Sequence, residues 1–352
     1  MKKLSRRDFI QLAALGLGAA ALDPLLAACG EASVTPAQTS ATQQASPPTS
    51  QPPTPAGEAQ SAQAQAEPTD EPQPTQTSQS AGAPDLVIAR RGEPQELVRQ
   101  ALAALGGMPR FVQPGTRVVI KPNICVAYHT YEYAATTNPW VVGALVHLAF
   151  EAGAKSVQVM DYPFGGSASE AYTRSGIQEQ VQAAGGEMVP MPGFKFVQVD
   201  LPQAKDLKQA KAFKDALQAD VLIDVPIAKH HGLARLTLGM KNLMGLVQDR
   251  GAIHHNLGQR IADLASLFQP DLTVIDAVRV LMANGPTGGD LNDVKQLDTV
   301  IASPDIVAAD SYAATLFGLR PDEIAYIPAA AAMGLGRSDL VNLKIEEITA
   351  AP

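Results

Sequence analysis

The sequence predicts an α/β fold with a mostly parallel sheet and helices on both faces, in Rossmann-like layering. Short runs of β-branched residues alternate with helical stretches from about residue 85 onward. Such alternation requires crossover connections, which make neighbouring strands parallel and cover both faces of the sheet. Several of the apolar runs also end in a polar residue, which is typical of strands that lead into a ligand site.

The first predicted strand and helix lie close together along the chain. The run Arg-Val-Val-Ile-Lys at 117–121 predicts a buried strand. Asn138 then supplies a helix N-cap, and Pro139 occupies the first helical position. The helix ends near Gly153 and carries an apolar face made of Val141, Leu145 and Leu148.

The remaining elements continue the alternation. Further strands are predicted at 156–161, 187–189, 221–225, 271–276 and 299–302, with an edge strand at 343–345. Helices are predicted at 168–184, 237–247, 257–268, 304–317 and 321–333. The segment 191–213 is less regular, and we interpret it as a hairpin or flap.

The first residues have the features of an export signal. Ser5-Arg6-Arg7-Asp8-Phe9 matches the twin-arginine address. The apolar run at 10–22 has about 13 residues and is too short to cross a bilayer, so it predicts a signal-peptide core. Small residues before Cys29 resemble a lipobox, in which the cysteine is lipidated. The alternative is an ordinary cleaved signal with an incidental cysteine.

Residues 1–29 are therefore predicted to be a twin-arginine lipoprotein signal. The expected partners are the twin-arginine export machinery and a membrane, reached through the lipid anchor on Cys29. The predicted location is the cell envelope, either the outer face of the plasma membrane or a periplasm-facing membrane.

A long polar segment follows the signal. Residues 30–84 are rich in Pro, Gln, Ser, Thr and Ala and contain few large apolar side chains. Such a segment cannot bury enough surface to offset its ordering entropy, so it predicts a disordered tether. A flexible coil of about 55 residues spans about 40 Å. A glycosylated stalk is the alternative. The folded part is predicted to occupy 85–352.

Charge and cysteine content exclude several classes of function. The chain has a formal net charge of −8 and no basic stripe, so nucleic acid is not an expected partner. Its two cysteines, Cys29 and Cys125, form no cluster of the kind that binds zinc or iron–sulfur groups. Cys125 has apolar neighbours, and we interpret it as a structural thiol.

Polar residues at the predicted strand ends form the first part of a candidate site. Ligands of open parallel sheets bind beyond the carboxyl ends of the strands. Lys121 ends one strand and Asn123 follows it closely, while Asp161, Asp224 and Asp276 each end another. We expect these side chains to lie at one edge, although a single aspartate after a strand often only caps a turn.

A lysine- and histidine-rich connection forms the second part. It carries Lys229 and His231, followed by Lys241 and Asn242. Lysine supplies a positive charge with three donors, and asparagine both donates and accepts, so this segment suits a small anionic ligand.

A glycine-rich loop forms the third part of the candidate site. Its backbone N–H groups could line an anion nest, with a surface turn as the alternative. The candidate ligand-binding residues here are Asn284, Gly285, Thr287, Gly288 and Gly289.

The histidines raise the question of a metal. Four of the six occur as adjacent pairs at 230–231 and 254–255. Adjacent side chains on a strand point to opposite faces, so one histidine from each pair can reach a shared centre. His231, His255 and Asp224 are the candidate ligands of a divalent metal. Acid–base or anion-contact roles for His231 and His255 are the alternative.

Together these segments resemble the DUF362 family across 85–348. The matching motifs in this chain are Ile120-Lys121-Pro122-Asn123, Ala135-Thr136-Thr137-Asn138-Pro139, Glu151-Ala152-Gly153-Ala154-Lys155, Lys229-His230-His231, Met240-Lys241-Asn242-Leu243-Met244-Gly245, Pro270-Asp271-Leu272, Asn284-Gly285-Pro286-Thr287-Gly288-Gly289 and Ala330-Ala331-Ala332-Met333-Gly334-Leu335-Gly336. The resemblance implies a family whose activity is not settled. Some members carry a Cys-rich iron–sulfur module that this sequence lacks, so no iron–sulfur cluster is expected. The family's Lys-x-His pattern favours Lys229 and His231 as site residues.

Two functions remain open on the sequence. The first is an enzyme in which Lys229 and Lys241 hold an anionic substrate, while His231 or His255 transfers a proton. The second is a non-catalytic lipoprotein that binds a ligand or a metal. A scaffold whose loops are only well-packed turns is a third interpretation.

Overall fold

The computed structural model describes residues 82–350. The predicted signal with Cys29, and all but the last residues of the predicted tether, lie outside the described residues. No helix within 82–350 has the length and apolar character needed to cross a membrane.

Twelve strands occur within the described part of the chain. They are β1 (Leu86–Arg90), β2 (Arg117–Pro122), β3 (Ser156–Val159), β4 (Glu187–Met188), β5 (Phe196–Asp200), β6 (Gln209–Phe213), β7 (Val221–Val225), β8 (Ile227–His231), β9 (Arg235–Thr237), β10 (Leu272–Leu281), β11 (Val294–Ser303) and β12 (Ile345–Thr349).

Ten of these strands form one mixed, mostly parallel sheet. Its order is β12-β1-β11-β10-β7-β2-β3-β4, and β8 pairs with both β10 and β9. The pairs β1–β11, β10–β11 and β8–β9 are antiparallel, whereas the other neighbours are parallel. Strands β5 and β6 form a separate antiparallel hairpin, as the irregular segment 191–213 predicts. The predicted α/β fold class is confirmed.

Nine α-helices lie in the same range. They are α1 (Pro94–Ala104), α2 (Pro139–Glu151), α3 (Ala168–Arg174), α4 (Ile177–Ala183), α5 (Lys214–Leu217), α6 (Gly239–Asn242), α7 (Leu257–Phe268), α8 (Ile306–Thr315) and α9 (Tyr326–Ala332). Buried residues of α1 to α4 pack on one face of the sheet, and those of α5 to α9 pack on the other. Both faces are therefore covered, as parallel strands require.

Two predicted helices have their expected positions for local reasons. The Asn138 side chain accepts a hydrogen bond from Trp140 N at 3.0 Å, which caps α2, and Pro139 is its first residue. Helix α7 has the predicted bounds 257–268, and it buries Ile261, Leu264 and Phe268 along one stripe.

Two other predicted helices are wrong in detail. The segment 168–184 is broken into α3 and α4 because Gly176 adopts a left-handed conformation with φ of 75°. The segment 237–247 begins with the last residue of β9 and then forms only α6 and a 3₁₀ turn, Leu243–Leu246. Asp310 accepts the backbone N–H groups of Gly239 and Met240, so this segment begins as a tight turn held from α8.

Strand β10 is longer than predicted, and this changes the position of Asp276. The strand continues to Leu281, so Asp276 lies in its interior rather than at its carboxyl end. Its carboxylate accepts N–H groups from Asn138 and Val278, on the face of the sheet that α2 covers. The expectation that Asp276 joins the other strand-end carboxylates is therefore wrong.

Candidate functional site

A buried hydrogen-bonded network occupies the carboxyl ends of β2, β3 and β7. Lys121 Nζ lies 2.8 Å from Asp161 Oδ1 and donates to Asn242 Oδ1 at 2.7 Å. Asn242 Oδ1 also accepts from Asn123 Nδ2 at 2.9 Å, and Asn242 Nδ2 donates to Asp224 Oδ1 at 2.8 Å. Parallel strands thus bring together Lys121, Asn123, Asp161 and Asp224, with Asn242 as their common partner.

The second oxygen of Asp224 has no hydrogen-bond partner among the described residues. Asp224 is fully buried, and burial raises its pKa well above the usual range against the effect of Lys121. Asp310 lies across Gly239 from it: a Cβ added to Gly239 would be 2.8 Å from Asp310 Oδ1 and 3.2 Å from Asp224 Oδ2. Two buried carboxyls this close favour a protonated Asp224.

Lys229 joins three segments of the site. Its Nζ donates to Asn123 Oδ1 at 3.0 Å, Ala135 O at 2.6 Å and Pro286 O at 2.9 Å. These acceptors use its three protons. Burial lowers the pKa of Lys229, whereas the three acceptors favour its ammonium form. Lys229 therefore holds the loops together and has no free donor for a ligand.

Lys241 differs from Lys229 because no hydrogen bond or ion pair holds its ammonium group within residues 82–350. It is partly exposed at the start of the loop that carries Asn242. Burial of its side chain, followed by the charges of Lys229, Arg250 and Lys121, lowers its pKa to about 7. Lys241 is thus a lysine with available donors that changes charge near neutral pH.

Arg250 is a site residue that the sequence reasoning missed. Its Nε donates to Met244 O at 3.1 Å, and its Nη2 donates to the backbone oxygen of Tyr162. The guanidinium carbon lies 5.1 Å from the centre of the Tyr162 ring. A single arginine in a loop carried no pattern, so only its place in the fold identifies it as part of the cationic cluster, which we define as Lys229, Lys241 and Arg250.

The neutral imidazole of His231 has a defined proton position. Its Nδ1 accepts backbone N–H groups from Leu233 at 3.1 Å and Ala234 at 3.2 Å, so the proton lies on Nε2. Burial, followed by the charge of Lys241, lowers the pKa of His231 to about 3. Near neutral pH it can donate a hydrogen bond from Nε2, but it is a weak base.

The structure does not bring the predicted metal ligands His231, His255 and Asp224 together. Asp224 is fully buried in the network, whereas His255 is exposed. Over the range 82–350, no group of three or more His, Cys, Asp or Glu side chains could hold a metal ion. From the second histidine pair it is His254 whose charge affects His231, and its Nδ1 lies 2.8 Å from Arg250 O.

The glycine-rich loop is fastened to β8. Gly285 N–H donates to His230 Nδ1 at 3.1 Å, and Gly288 N–H donates to Asn284 O at 3.2 Å. A Cβ at Gly285 would lie 1.8 Å from His230 O, so only glycine fits there. Two of the N–H groups expected to form an anion nest, those of Gly285 and Gly288, are therefore used inside the protein.

Cys125 lies beside the cationic cluster. Its thiol is buried and contacts Pro286 O at 3.6 Å. A negative charge on this thiol would raise the pKa of Lys229, Lys241 and Arg250 alike. Cys125 is thus closer to the candidate site than its apolar sequence neighbours suggest.

A cavity of about 1030 Å³ lies elsewhere on the described part of the chain, beside the N-terminus of α1. Its lining contains Glu93, Glu96 and Asp298 together with Arg91 and Arg279, and none of the network residues. We place the candidate site at the cationic cluster because the buried ion network and the unpaired Lys241 converge there.

Comparisons with known proteins identify a family and a related sequence. The model for DUF362, a domain of unknown function, matches residues 118–315. A thylakoid-associated protein of Synechocystis is 31% identical over 247 residues, which cover 68% of this chain and 74% of that protein.

Similarity to solved structures is remote. The lactate racemase apoprotein of Thermoanaerobacterium thermosaccharolyticum has 11% identity and a TM-score of 0.38, over 60% of this chain and 53% of that one. A structural-genomics protein of Thermotoga maritima has 12% identity and a TM-score of 0.40, over 64% and 60%. The chain thus spans less than two thirds of either structure. Because the family model covers more than half of the chain and includes the strands that carry the network, the chain belongs to the DUF362 family.

Proposed function

We propose that the chain is an exported, membrane-tethered protein that binds a small anionic ligand at the carboxyl edge of its sheet and transfers a proton to or from it. The supporting observation is Lys241, whose ammonium group has no counter-charge within the described range. Lys229 and Arg250 lie near enough to lower its pKa. A buried ammonium group without a partner is stabilised most by an anion that pairs with it.

The carboxylates near the cluster neutralise it only in part. Asp161 raises the pKa of Lys229 and Arg250, but it is paired with Lys121 at 2.8 Å, and burial raises the pKa of Asp224 so that it favours the protonated form. Among the described residues, no carboxylate is paired with Lys241. A bound phosphate or carboxylate would relieve the mutual repulsion within the cluster and accept the hydrogen bonds that Lys241 has available.

The chemistry of the site favours proton transfer by Lys241 over the earlier assignment to His231. A general acid or base works best with a pKa near the operating pH, and the pKa of Lys241 is lowered to about 7. His231, which burial keeps neutral, would donate from Nε2 to a developing negative charge on the substrate. The alternative is binding without catalysis, which uses the same contacts.

Replacing Lys241 by glutamine should remove most of the anion binding. In the full chain carrying Cys29→Ser, inorganic phosphate should raise the Tm of the wild-type site but shift that of Lys241→Gln little. The affinity should fall about tenfold or more, because the charge and the free donors are lost. Lys155→Gln, an exposed lysine before β3, is the matched control and should keep the response.

The pH dependence of phosphate binding shows whether the charge of Lys241 or only the shape of its side chain is needed. Phosphate affinity should weaken as the pH rises through about 7, because Lys241 then loses its proton. Lys241→Arg should retain binding without this loss. Equal phosphate affinity in Lys241→Gln and Lys155→Gln would show that the site is misassigned.

Export and tethering rest on residues 1–29. The Synechocystis relative is described as thylakoid-associated, which is consistent with a membrane location for this chain as well. Two acyl chains anchor a protein stably, whereas one anchors it only marginally, so lipidation at Cys29 would fix the chain to the envelope.

Substituting Cys29 by serine should abolish acylation and move the chain from the membrane to the soluble fraction of the envelope. Mass spectrometry of the mature N-terminus and detergent-phase partitioning measure the two effects. Cys125→Ser is the control for the other cysteine and should remain acylated. Acylation that persists in Cys29→Ser would contradict the lipoprotein assignment.

A further inference from the structure

The exposed large hydrophobic side chains of the described residues are not distributed evenly. Six are strongly exposed: Tyr128, Phe164, Phe194, Leu233, Leu291 and Val341. The first five belong to the loops that follow β2, β3, β4, β8 and β10 in turn. Parallel pairings give these five strands the same direction, so the five loops leave the sheet at its carboxyl edge. Val341 precedes β12 and does not belong to this set.

We call these five side chains the apolar rim, and four of them belong to loops with contacts beside the candidate anion site. Phe164 N donates to Cys125 O at 3.2 Å, and Leu233 N donates to His231 Nδ1 at 3.1 Å. Tyr128 lies beside Gly165, where a Cβ would be 3.3 Å from its ring. Phe194 is 84% exposed. The turn that carries it approaches Gln248 at Gly193, and Gln248 lies two residues before Arg250.

We infer that this edge docks on a membrane surface, with the apolar rim inserted among the headgroups and a lipid phosphate group held by the cationic cluster. The inference rests on the proposed function and names its ligand as a bilayer lipid with an anionic phosphate headgroup. Aromatic and aliphatic side chains beside Lys and Arg are the combination that binds such an interface. Basic side chains near an anionic membrane surface are attracted to it.

Charge complementarity supports a lipid surface over a second copy of the chain. Two cationic clusters that faced each other would repel, whereas an anionic bilayer attracts one. The chain as a whole has a net charge of −8, so an anionic surface should select the orientation that presents this edge. The nearby carboxylates of Asp290 and Asp293 are engaged in their own loop, with Asn292 and Asn284.

Vesicle sedimentation tests the inference in the full chain carrying Cys29→Ser, which has no acyl anchor. The vesicles are phosphatidylcholine alone and an equimolar mixture with phosphatidylglycerol. The chain should bind the mixed vesicles and bind phosphatidylcholine much more weakly. The double change Phe164→Ser and Leu233→Ser should weaken binding to the mixed vesicles about tenfold or more, because two exposed apolar side chains are lost. Val341→Ser, at the other edge, should leave it unchanged.

Stabilisation by inorganic phosphate, measured on the same proteins, separates this inference from the proposed function. The rim variant should keep its phosphate response, whereas Lys241→Gln should lose both phosphate and vesicle binding. Equal vesicle binding by the rim variant and Val341→Ser would overturn membrane docking and leave the anion site in place. Self-association of the unsubstituted rim without vesicle binding would overturn it as well, by assigning this face to a second copy.

Discussion

Replacing Gly245 by alanine is expected to destabilise the folded part by about 3 kcal/mol or more, because the new methyl group would break a buried ion pair. A Cβ at Gly245 would lie 1.9 Å from Asp161 Oδ1 and 2.5 Å from Lys121 Nζ. Neither atom can move freely, since both side chains are almost completely buried. The space against Gly245 is already filled by the Lys121–Asp161 pair.

The loss should spread through the network. Lys121 also donates to Asn242, which holds Asn123 and Asp224, so displacing Lys121 removes several hydrogen bonds at once. A buried charge that loses its partner costs more than the contact contributed. Gly245→Ala should therefore lower the urea midpoint strongly and also weaken phosphate binding, because Lys241 lies in the same turn.

Gly251→Ala is the matched control in the same region. Gly251 has φ of −58°, and its nearest neighbour to an added Cβ is Asp249 Oδ1 at 3.5 Å, an ordinary contact. Alanine should fit there at little cost, and the reduced freedom of the unfolded chain works in its favour. Equal urea midpoints for Gly245→Ala and Gly251→Ala would contradict the tight packing of the network.

The sequence predicts the members of this network from one simple rule. Strand ends could be read from the apolar runs, and parallel strands end at the same edge, so Lys121, Asn123, Asp161 and Asp224 were expected together. The rule failed for Asp276 because β10 continues past it to Leu281. A polar residue inside a buried strand cannot be told from one at the strand's end by the sequence alone. The hydrogen-bond partners that satisfy such a residue come from elsewhere in the fold.

Residues that act through distant contacts were beyond the reach of the sequence. Asp310 lies on α8, yet it holds the first two N–H groups of the turn that carries Lys241. Arg250 reaches the backbone of Tyr162 across 88 positions of sequence. The choice between His254 and His255 depended on a 3₁₀ turn, Ala252–Asn256, which strand-like alternation of side chains cannot describe.

The stability of the folded part should fall between about pH 4 and pH 7, because two buried carboxyl groups, Asp276 and Asp310, keep their protons in the folded chain over this range and lose them on unfolding. Burial raises the pKa of each from 3.8 to about 7, against the effect of the backbone N–H groups they accept. In this window the folded chain holds protons that the unfolded chain has released. The free energy of unfolding should therefore decrease by up to about 1.4 kcal/mol per pH unit for each group.

The direction of this effect is opposite to that of an ordinary ion-paired carboxylate. The contribution is fully present below about pH 3.8, is lost as the pH rises, and ceases to change above about 7. His231 opposes it, because its pKa is lowered from 6.5 to about 3, so stability from that residue increases over the same range. Asp224, whose pKa burial also raises, acts in the same direction as Asp276 and Asp310. The total curve is therefore a sum of opposing contributions, and single substitutions are needed to separate them.

Asp276→Asn isolates one carboxyl, which lies away from the anion site on the α2 face of the sheet. Asparagine is a neutral analogue of the protonated acid, and it should cost a roughly constant amount because its amide group cannot accept from both Asn138 N and Val278 N. The stability of the variant relative to the wild-type chain should therefore rise by up to about 1.4 kcal/mol per pH unit between pH 4 and 7. Urea titrations across this range measure the difference, and Glu346→Gln, on the exposed edge strand β12, controls for the change in net charge. If Asp276 were ionised in the folded chain throughout, the difference between Asp276→Asn and the wild-type chain would stay flat with pH, and desolvation would not govern this carboxyl.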